Sequence, residues 1–335
     1  MNLVTGATGL LGSHICEKLM QSGEPVRALV RKTSDVRALE SFGNVELAYG
    51  DVTDPGSLKE AFKGVKRVYH AAAAVGDWGS WDDYFVPVTI GGTKNMIEAA
   101  VAEGVERFVH ISSISAYGHV NGKGLVIDES FPLGQHLYKW AYYSRAKAEA
   151  EKLVWAAYEK GDLPVTCCKP SWLYGPRDRA SMPRIIRAIR KGKAKLIGGG
   201  KNRLNLTYAA NEAEGCILAG TKEVGLGQNY NLSSDGDITL EEYFNKIAEC
   251  IGEKPIKKKV PYKVAYNAGF VMECLGRLFH KPPLVTRYSV WMMARDAFFS
   301  PEKARKELNW QPTIKYDEGI QRAVRWCVEN VPGCK

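Results

Sequence analysis

The chain has 335 residues, of which 45% are hydrophobic and 25% are charged. This composition is typical of a soluble globular protein and excludes a disordered or collagen-like chain. At about 150 residues per domain, the length predicts one large α/β unit or two packed pieces. The net charge of +9 suits nucleic acid, a membrane surface or a phosphorylated small molecule as partner, so charge alone does not choose among them.

The eight cysteines and six histidines indicate neither a metal centre nor a disulfide framework. No two cysteines are spaced as C-x-x-C, and no H-E-x-x-H sequence occurs. Cys167 and Cys168 lie in an apolar, strand-like run, so we predict that they are small core residues on opposite faces of a strand. We expect no metal, reduced thiols and a cytoplasmic protein, with neither a signal peptide nor a membrane-spanning segment.

Short β-branched runs alternate with helical periodicity through the first half of the chain. The predicted strands are 2–5, 26–30, 45–49, 67–70, 107–111 and 165–169, and the predicted helices are 10–21, 36–42, 57–62, 88–102 and 143–160. This order predicts an α/β fold with a doubly wound parallel sheet. We assign residues 1–169, with about 204–233 returning to the sheet, to a nucleotide-binding domain, and residues 170–203 and 234–335 to a smaller substrate-binding cap.

A glycine-rich segment joins the first strand to the first helix. Its candidate cofactor contacts are Gly6, Thr8, Gly9, Leu10, Leu11 and Gly12, in a G-x-x-G-x-x-G run. Glycines here allow a tight turn and let backbone N–H groups approach a pyrophosphate at the positive end of a helix. Because strand, helix and βαβ series are all in place, the segment predicts a dinucleotide site in preference to a plain structural turn.

Basic residues follow the second strand, where an NAD site commonly carries Asp or Glu for the ribose hydroxyls. Arg31, with Lys32 as second candidate, suits a 2′-phosphate, so we predict NADP(H), with NAD(H) as the alternative. A solvated basic turn is the plainer interpretation of these two cations. Further candidate cofactor contacts after the third and fourth strands are Asp51, Val52, Ala71, Ala72 and Ala73.

Tyr143 and Lys147 begin the long predicted helix four residues apart, which places both side chains on one helical face. A tyrosine needs help to act as an acid or base near neutral pH, and a neighbouring ammonium favours the phenolate. Ser113 follows the fifth strand at the carboxyl edge of the sheet, where a hydroxyl can polarise a substrate carbonyl. We select Ser113 and assign Ser112 and Ser115 to strand-end capping.

The glycine run, the set Ser113, Tyr143 and Lys147 in that order, and the segment 299–312 resemble the extended short-chain dehydrogenases/reductases over nearly the whole chain. The resemblance implies a Rossmann sheet and hydride transfer at nicotinamide C4. It further implies that Tyr143 is the general acid/base, that Lys147 lowers its pKa and holds the nicotinamide ribose, and that Ser113 binds the substrate oxygen.

The same resemblance extends the candidate site. It implies cofactor contacts at Pro170, Trp172 and Leu173, tentative substrate contacts at Trp78, Ser113 and Trp172, and a homodimer. The chain departs from the family at Thr89 and Lys169, where Asn and Arg are usual.

Local differences indicate a branch of that family. Ile114 and Ser115 stand where dehydratases carry an Asp-Glu pair, and Trp172 stands where sugar-nucleotide members carry Asn. Residues 77–95 and 260–266 resemble the branch of 3β-hydroxysteroid dehydrogenases, dihydroflavonol reductases and 2-alkyl-3-oxoalkanoate reductases. We therefore predict an NAD(P)(H)-dependent oxidoreductase that interconverts a ketone and a secondary alcohol on a sterol-like, 2-alkyl-3-oxo acid or flavonoid-like substrate. The alternatives are a sugar epimerase (NDP-sugar or hopanoid-associated) and a cofactor-binding protein without turnover.

Two features of the C-terminal half lie outside this function. A dense apolar set predicts the core of the cap in preference to a lipid-sized pocket. Its members are Tyr262, Tyr266, Phe270, Leu275, Leu278, Phe279, Tyr288, Trp291, Met292 and Met293.

A run of lysines at 254, 257, 258, 259 and 263 predicts either peripheral membrane contact or, more plainly, a solvated loop. We expect no nucleic-acid partner, since no module for one is recognisable.

Overall fold

The computed structural model describes residues 1–335. The strands are β1 (Asn2–Thr5), β2 (Val26–Val30), β3 (Glu46–Tyr49), β4 (Arg67–His70), β5 (Arg107–Ile111), β6 (Leu125–Ile127), β7 (Val165–Pro170), β8 (Trp172–Tyr174), β9 (Leu196–Ile197), β10 (Leu206–Tyr208), β11 (Asn229–Leu232), β12 (Lys259–Val260) and β13 (Ala297–Phe299). The α-helices are α1 (Leu10–Gln21), α2 (Arg37–Glu40), α3 (Pro55–Phe62), α4 (Gly92–Glu103), α5 (Tyr142–Glu159), α6 (Ser181–Arg190), α7 (Ala209–Thr221), α8 (Leu240–Cys250), α9 (Tyr262–Leu278), α10 (Arg287–Ala294), α11 (Glu302–Leu308) and α12 (Tyr316–Asn330). A π-helix covers Trp81–Gly91, and 3-10 helices cover Ile114–Tyr117 and Glu223–Gly225.

Seven strands form one parallel sheet in the order β11-β7-β5-β4-β1-β2-β3. The predicted α/β fold with a doubly wound, Rossmann-like sheet is therefore confirmed. The direction of winding reverses between β1 and β4, which pair directly with each other. Ligands of open α/β sheets bind outside the carboxyl ends of the strands at such a point, and the predicted glycine loop, Ala71 and Ser113 all follow strands at this edge.

Apolar clusters cover both faces of the sheet. One cluster joins the sheet to α1, α7 and α11, and the other joins it to α3, α4 and α5. Because both faces are covered, the strands consist of nearly continuous apolar residues. Cys168 lies in the first cluster and Cys167 in the second, and both are free thiols, as the alternation along a strand predicts.

A third cluster of 24 buried residues lies in the C-terminal half, among α6, α8 and α12. It includes residues of β8 and β10, which pair in a separate two-stranded sheet. The predicted return of residues 204–233 to the main sheet is therefore wrong for residues 204–208, because this segment pairs with the strand that follows Pro170. Residues 229–232 do return, as β11 beside β7. The division into two domains stays a prediction.

Helix α9 differs from the predicted cap core. It buries only Gly269, Glu273 and Gly276. At Gly269 the helix lies so close to the backbone of Thr286 and Arg287 that a Cβ would come within 2.9 Å of it. Five members of the apolar set are exposed instead: Tyr262, Phe270, Leu275, Leu278 and Phe279. For these five the expected core position is wrong, since the helix packs through its glycine face.

No helix combines the length and the apolar character needed to cross a bilayer. No three His, Cys, Asp or Glu side chains come together in an arrangement that could hold a metal ion.

Candidate active site

The glycine loop brings the first turn of α1 against the end of β4. Gly6 has a φ of 62°, and a Cβ there would lie 2.9 Å from the backbone of Ala71. A Cβ at Gly12 would overlap the carbonyl oxygen of Gly6. No side chain caps α1 after Gly9, and the N–H groups of a first helical turn have no partner within the helix. The loop therefore packs backbone against backbone and leaves main-chain donors at the beginning of the helix.

A buried chain of hydrogen bonds fixes β1 to β4 behind this loop. Thr5 Oγ1 accepts a hydrogen bond from the Ala72 N–H at 3.0 Å and lies 2.8 Å from His70 Nδ1. The other ring nitrogen of His70 lies 3.1 Å from Thr93 Oγ1. Burial lowers the pKa of His70 to about 3, so the ring is neutral and serves as donor on one side and acceptor on the other. The backbone at 71–73 is thereby held close to Gly6.

The two predicted phosphate-binding cations lie at the exposed end of β2. Arg31 and Lys32 are exposed, and neither is within salt-bridge distance of a carboxylate. The nearest acidic residue along the chain, Asp35, lies 2.7 Å from Arg37 and 2.9 Å from Arg179. Hydrogen bonds from these two arginines lower the pKa of its carboxyl. The end of β2 therefore carries net positive charge and no free carboxylate.

Asp51 and Val52 form the turn after β3. Asp51 Oδ1 accepts hydrogen bonds from the N–H and the hydroxyl of Thr53 at 2.9 and 2.8 Å. The carbonyl of Val52 accepts a hydrogen bond from Asn95 at 2.8 Å. These contacts fix the turn and leave Asp51 Oδ2 without a protein partner.

These features fit a nicotinamide dinucleotide. Open glycine backbone and an uncapped helix suit a pyrophosphate, and the cationic end of β2 suits the adenosine end. The residues that would hold such a group are Gly6, Thr8, Gly9, Leu10, Leu11 and Gly12 for the phosphates, Arg31, Lys32, Asp51 and Val52 for the adenosine, and Ala71, Ala72, Ala73 and Lys147 towards the nicotinamide. Leu11 would contribute its N–H alone, because its side chain is buried in the cluster under α1.

Ser113 lies directly after β5. It precedes the 3-10 helix Ile114–Tyr117, and its Oγ accepts a hydrogen bond from the Ser115 N–H at 3.1 Å. Ser113 is therefore the capping residue of this helix, in place of Ser112 or Ser115, and the predicted binding of the substrate oxygen by Ser113 stays a prediction. The hydroxyl of Ser112 bonds to Glu151 at 2.5 Å, and that of Ser115 lies 3.1 Å from the Tyr288 hydroxyl.

Tyr143 and Lys147 occupy the first two turns of α5, facing the end of β5. The ring of Tyr143 meets the ring of Tyr288 edge-on, with centroids 6.3 Å apart. Lys147 is buried and donates a 2.6 Å hydrogen bond to the carbonyl of Ile111, the last residue of β5. The structure therefore brings the predicted serine, tyrosine and lysine to one strand end.

Burial dominates the ionisation of this pair. It raises the pKa of Tyr143, the nearby Tyr288 raises it further, and hydrogen bonding with Ser113 lowers it only in part. Burial also lowers the pKa of Lys147 to about 8. The Lys147 ammonium is held on the Ile111 carbonyl, and the predicted lowering of the Tyr143 pKa by Lys147 stays a prediction.

A buried ion pair ties α5 to the sheet below this site. Lys169 Nζ lies 2.7 Å from Glu151 Oε1, and both side chains are almost fully buried. Glu151 also accepts hydrogen bonds from Ser112 and, at 3.2 Å, from Trp155. Lys169, at a position where the family usually carries Arg, therefore still supplies the cation that anchors α5 to β7.

A cleft opens beside Tyr143. Half of its lining is aromatic: Trp78, Phe85, Trp140, Tyr142, Tyr143 and Tyr288, together with Gly76, Asp77, Gly79, Ala141, Glu273 and Arg277. Trp78, a predicted substrate contact, thus lies on the same cleft as Tyr143. A Cβ at Gly276 would lie 3.2 Å from the Trp78 ring, so α9 closes this side of the cleft through a glycine.

The second predicted tryptophan lies elsewhere. Trp172 packs against Tyr243, with ring centroids 5.9 Å apart, and lines a separate cavity with Arg203 and Arg295. Pro170 is buried at the end of β7, and Leu173 packs against the cluster that contains α1. The structure therefore brings Trp78, but not Trp172, to the cleft of Tyr143.

Sequence reasoning missed several residues of the cleft: Phe85, Trp140, Tyr142, Glu273, Arg277 and Tyr288. Tyr288 belongs to the apolar set assigned to the core, and nothing in its spacing distinguishes it from a core residue. The family usually carries Asn at the position of Thr89. Thr89 Oγ1 accepts a hydrogen bond from the Ala74 N–H at 2.9 Å, so threonine still makes a polar contact with the segment that follows β4.

Comparisons with known proteins agree with this geometry. A sequence profile of the NAD dependent epimerase/dehydratase family matches residues 2–233. The chain is 32% identical to a 2-alkyl-3-oxoalkanoate reductase of Stenotrophomonas maltophilia (strain K279a) over 329 residues, which cover 96% of this chain and 97% of that protein. It is 29% identical over 335 residues to the "Sterol-4-alpha-carboxylate 3-dehydrogenase, decarboxylating" of Mus musculus, covering 96% of this chain and 89% of that one.

Among solved structures, the crystal structure of gox2253 matches with a TM-score of 0.82 at 31% identity, covering 99% of this chain and 98% of that chain. The predicted family and the predicted NAD(P)-dependent enzyme acting on CH–OH groups are confirmed. The chain belongs to the NAD dependent epimerase/dehydratase family, the extended short-chain dehydrogenases/reductases, and is an oxidoreductase of that family.

Proposed function

We propose that the protein interconverts a ketone and a secondary alcohol on a hydrophobic carboxylic acid, with 2-alkyl-3-oxo acids as the leading substrate class. The observation that carries the proposal is the position of Tyr143 on the wall of an aromatic cleft, beside Ser113. The name of the 32% identical bacterial relative supports an oxo acid. A sterol carboxylate is the second candidate, favoured by the name of the mouse relative.

The residues of the cleft divide the chemistry among them. Ser113 Oγ donates a hydrogen bond to the substrate oxygen. Tyr143 gives its phenolic proton to that oxygen as the ketone becomes an alcohol and takes a proton back in the reverse direction. The nicotinamide cofactor, when bound, supplies or takes up the hydride. Burial raises the pKa of Tyr143, so at neutral pH the phenol holds the proton that it gives to the ketone oxygen.

The charges around the cleft support an acidic substrate. Asp77 accepts a hydrogen bond from the Thr286 hydroxyl at 2.7 Å and lies 3.6 Å from Arg184. Glu273 is bonded by the Arg287 guanidinium at 2.6 and 2.8 Å. The third charged residue, Arg277, forms no salt bridge. With both carboxylates already partnered, Arg277 is the cation left to meet a substrate carboxylate.

We also propose NADP(H) as the preferred cofactor. Arg31 and Lys32 are exposed without carboxylate partners, and Asp35 is held by two arginines. A 2′-phosphate would therefore meet cations at the end of β2 and no competing acid. In an Arg31→Ala variant, the ratio of kcat/KM for NADPH over NADH falls by roughly tenfold or more, whereas Lys59→Ala, on α3, leaves it unchanged. An unaltered ratio in the Arg31 variant rejects the assignment.

The substrate class is tested by following the absorbance of the reduced nicotinamide with a panel of ketones. The panel contains 2-alkyl-3-oxo acids, their methyl esters, 3-ketosteroids, a dihydroflavonol and UDP-sugars. We expect turnover of the oxo acids, weaker turnover of the esters, and a KM for the acids that rises by roughly tenfold in Arg277→Gln. The matched control is Arg325→Gln, an exposed arginine of α12 without a salt bridge.

Two results decide against the proposal. If the acid and its methyl ester have equal KM values, both in the native protein and in Arg277→Gln, then Arg277 does not bind the substrate carboxylate. Tightly held NAD carried through purification, with conversion of a UDP-sugar and no net change in cofactor absorbance, assigns the alternative epimerase function instead.

A further inference from the structure

Helix α9 presents an apolar surface that no part of the chain covers. Of the seventeen large apolar side chains that the whole chain leaves exposed, nine lie between residues 262 and 284. They are Tyr262, Val264, Phe270, Val271, Met272, Leu275, Leu278, Phe279 and Leu284. Apolar patches of this extent on a globular fold mark an interaction surface.

The apolar residues of α9 are ordered on one face. Val264, Val271, Leu275 and Leu278 are separated by seven, four and three residues, which places them in one line along the helix. We call these four residues the apolar stripe. The buried Gly269, Glu273 and Gly276 occupy the opposite face, so the stripe points directly away from the protein.

A basic cluster adjoins the beginning of this helix. We define it as the cations of two segments: Arg190, Lys191, Lys193 and Lys195, and Lys254, Lys257, Lys258, Lys259 and Lys263. The pairing of β9 with β12 brings the two segments together, with Lys259 opposite Leu196. All nine side chains are exposed, and only Lys259 has a carboxylate nearby, Glu241 at 3.7 Å.

The far end of α9 is cationic as well. Arg277 and Lys281 are exposed there. Between Lys254 and Arg287 the single acidic residue is Glu273, which is buried and paired with Arg287. The apolar stripe is therefore bordered by positive charge at both ends, and the nearest acidic residues along the chain are the buried Glu273 and the exposed Glu253, which directly precedes the basic cluster.

We propose that α9 docks the protein on an anionic lipid bilayer, lying in the plane of the surface with the apolar stripe towards the acyl chains and the basic cluster on the headgroups. An exposed apolar face bordered by lysines is the pattern of an interfacial helix. Each lysine near an anionic surface contributes about 1 kcal/mol to binding.

A second copy of this chain fits the same surface less well. A two-fold interface places the same patch of both copies in contact. Because both ends of α9 are cationic, parallel and antiparallel packing of two such helices both bring like charges together. The charge pattern therefore favours lipid over the homodimer as the occupant of the stripe.

The docking surface and the cleft share α9. Glu273 and Arg277 line the cleft that contains Tyr143, while the apolar stripe lies on the other side of the same helix. A protein docked through the stripe would hold the rim of its cleft at the membrane surface, where hydrophobic substrates concentrate. This consequence rests on the proposed function, whereas the docking itself does not.

The experiment is flotation of the purified full chain with vesicles, without cofactor or substrate. We expect retention on vesicles of phosphatidylcholine mixed with phosphatidylserine, weak retention on phosphatidylcholine alone, and release as salt rises. The variant Lys254→Gln/Lys257→Gln/Lys258→Gln is expected to bind roughly 100-fold more weakly. Val271→Gln/Leu275→Gln/Leu278→Gln is expected to lose roughly tenfold or more.

Matched controls change the same residue types on other surfaces. They are Lys59→Gln/Lys123→Gln/Lys160→Gln and Val101→Gln/Val224→Gln/Leu226→Gln, and both are expected to float like the native chain. Absence of native binding to the anionic vesicles overturns the proposal, as does an equal loss in the control variants. If light scattering shows that the native chain is a dimer and the stripe variant a monomer, and the native chain does not bind vesicles, then the stripe is the interface with a second copy. Ketone turnover is not measured, so this result is independent of the proposed function.

Discussion

The cofactor edge of the sheet and the substrate wall formed by α9 and α10 are built in opposite ways. At the cofactor edge, glycines place backbone against backbone, and a Cβ at Gly6 or Gly12 would collide with main-chain atoms. At the substrate wall, the side chains of Glu273, Arg277 and Tyr288 supply the surface. The difference shows that one region tolerates almost no added atom, whereas the other is defined by the side chains it carries.

The same two regions also differ in burial. Lys147 is buried beneath the cofactor edge, while α9 exposes most of its large residues and buries only Gly269, Glu273 and Gly276. We therefore expect substitutions to change activity or stability most at the catalytic pair, less at the glycine loop, and least on the outer face of α9.

The largest effect is expected from Tyr143→Phe. Removing the phenolic proton donor should lower kcat by about 10²- to 10⁴-fold, while the Kd of the cofactor stays within a few-fold of the native value. Tyr142→Phe, which changes the neighbouring tyrosine of the same cleft, is the control and should retain most of the activity. Steady-state kinetics and cofactor titration measure both quantities. If the Tyr143→Phe variant keeps most of its rate, the assignment of the acid is wrong.

The glycine loop should respond next. Gly12→Ala places a methyl group on the carbonyl of Gly6, and overpacking of this kind costs about 1–3 kcal/mol. If the strain falls on the loop, the Kd of the cofactor rises by roughly 5- to 150-fold. Gly199→Ala is the control, since a Cβ there meets nothing within 4 Å. Isothermal titration with NADPH compares the variants, and equal affinities would contradict the close approach of loop and helix.

The pH dependence tests the burial of Lys147. Because burial lowers its pKa to about 8, the ammonium loses its proton as the pH rises through about 8. If the positive charge is required, kcat/KM declines above that pH by about tenfold per pH unit. In Lys147→Arg the side chain stays charged, so the alkaline decline should move to higher pH even if the rate is reduced. A decline at the same pH in both proteins would assign it to another group.

The smallest effect is expected on the outer face of α9. Leu278 is 69% exposed, so Leu278→Gln should change the free energy of unfolding by less than about 0.5 kcal/mol. Leu58, which is fully buried on α3, is the comparison, and Leu58→Ala should cost about 2–5 kcal/mol. Urea denaturation measures both. A large loss in the Leu278 variant would mean that α9 packs against the rest of the chain through its apolar side.

The sequence predicts the cofactor edge better than the substrate wall, for a physical reason. Phosphate binding by backbone needs Gly6, Gly9 and Gly12 at fixed spacing, and Tyr143 and Lys147 need one helical face, so local spacing reveals both. The cleft joins residues 76–85, 140–143 and 273–288, which meet only through tertiary packing.

Sequence patterns also do not show which partner a helix face, a strand or a side chain contacts. The apolar residues of α9 have the spacing of a core helix, but the helix packs through Gly269, Gly276 and the Glu273–Arg287 ion pair, so its apolar side faces outward. Likewise, nothing in the composition of β10 distinguishes a strand of the main sheet from one that pairs with β8. The effect of Lys147 on Tyr143 depends on which carbonyl the ammonium reaches, and spacing does not specify that contact.

The placement of α9 and α10 between β12 and β13 has an evolutionary consequence. One side of the cleft, with Glu273, Arg277 and Tyr288, comes from one continuous stretch of the chain, bounded by two short strands that pair with β9 and β6. Replacement of this stretch would alter the shape, the charge and the outer surface of the cleft, while the glycine loop and the catalytic pair would stay in place. Substrate range can therefore diverge within such a lineage by exchange of a single segment, without any change to the hydride-transfer apparatus.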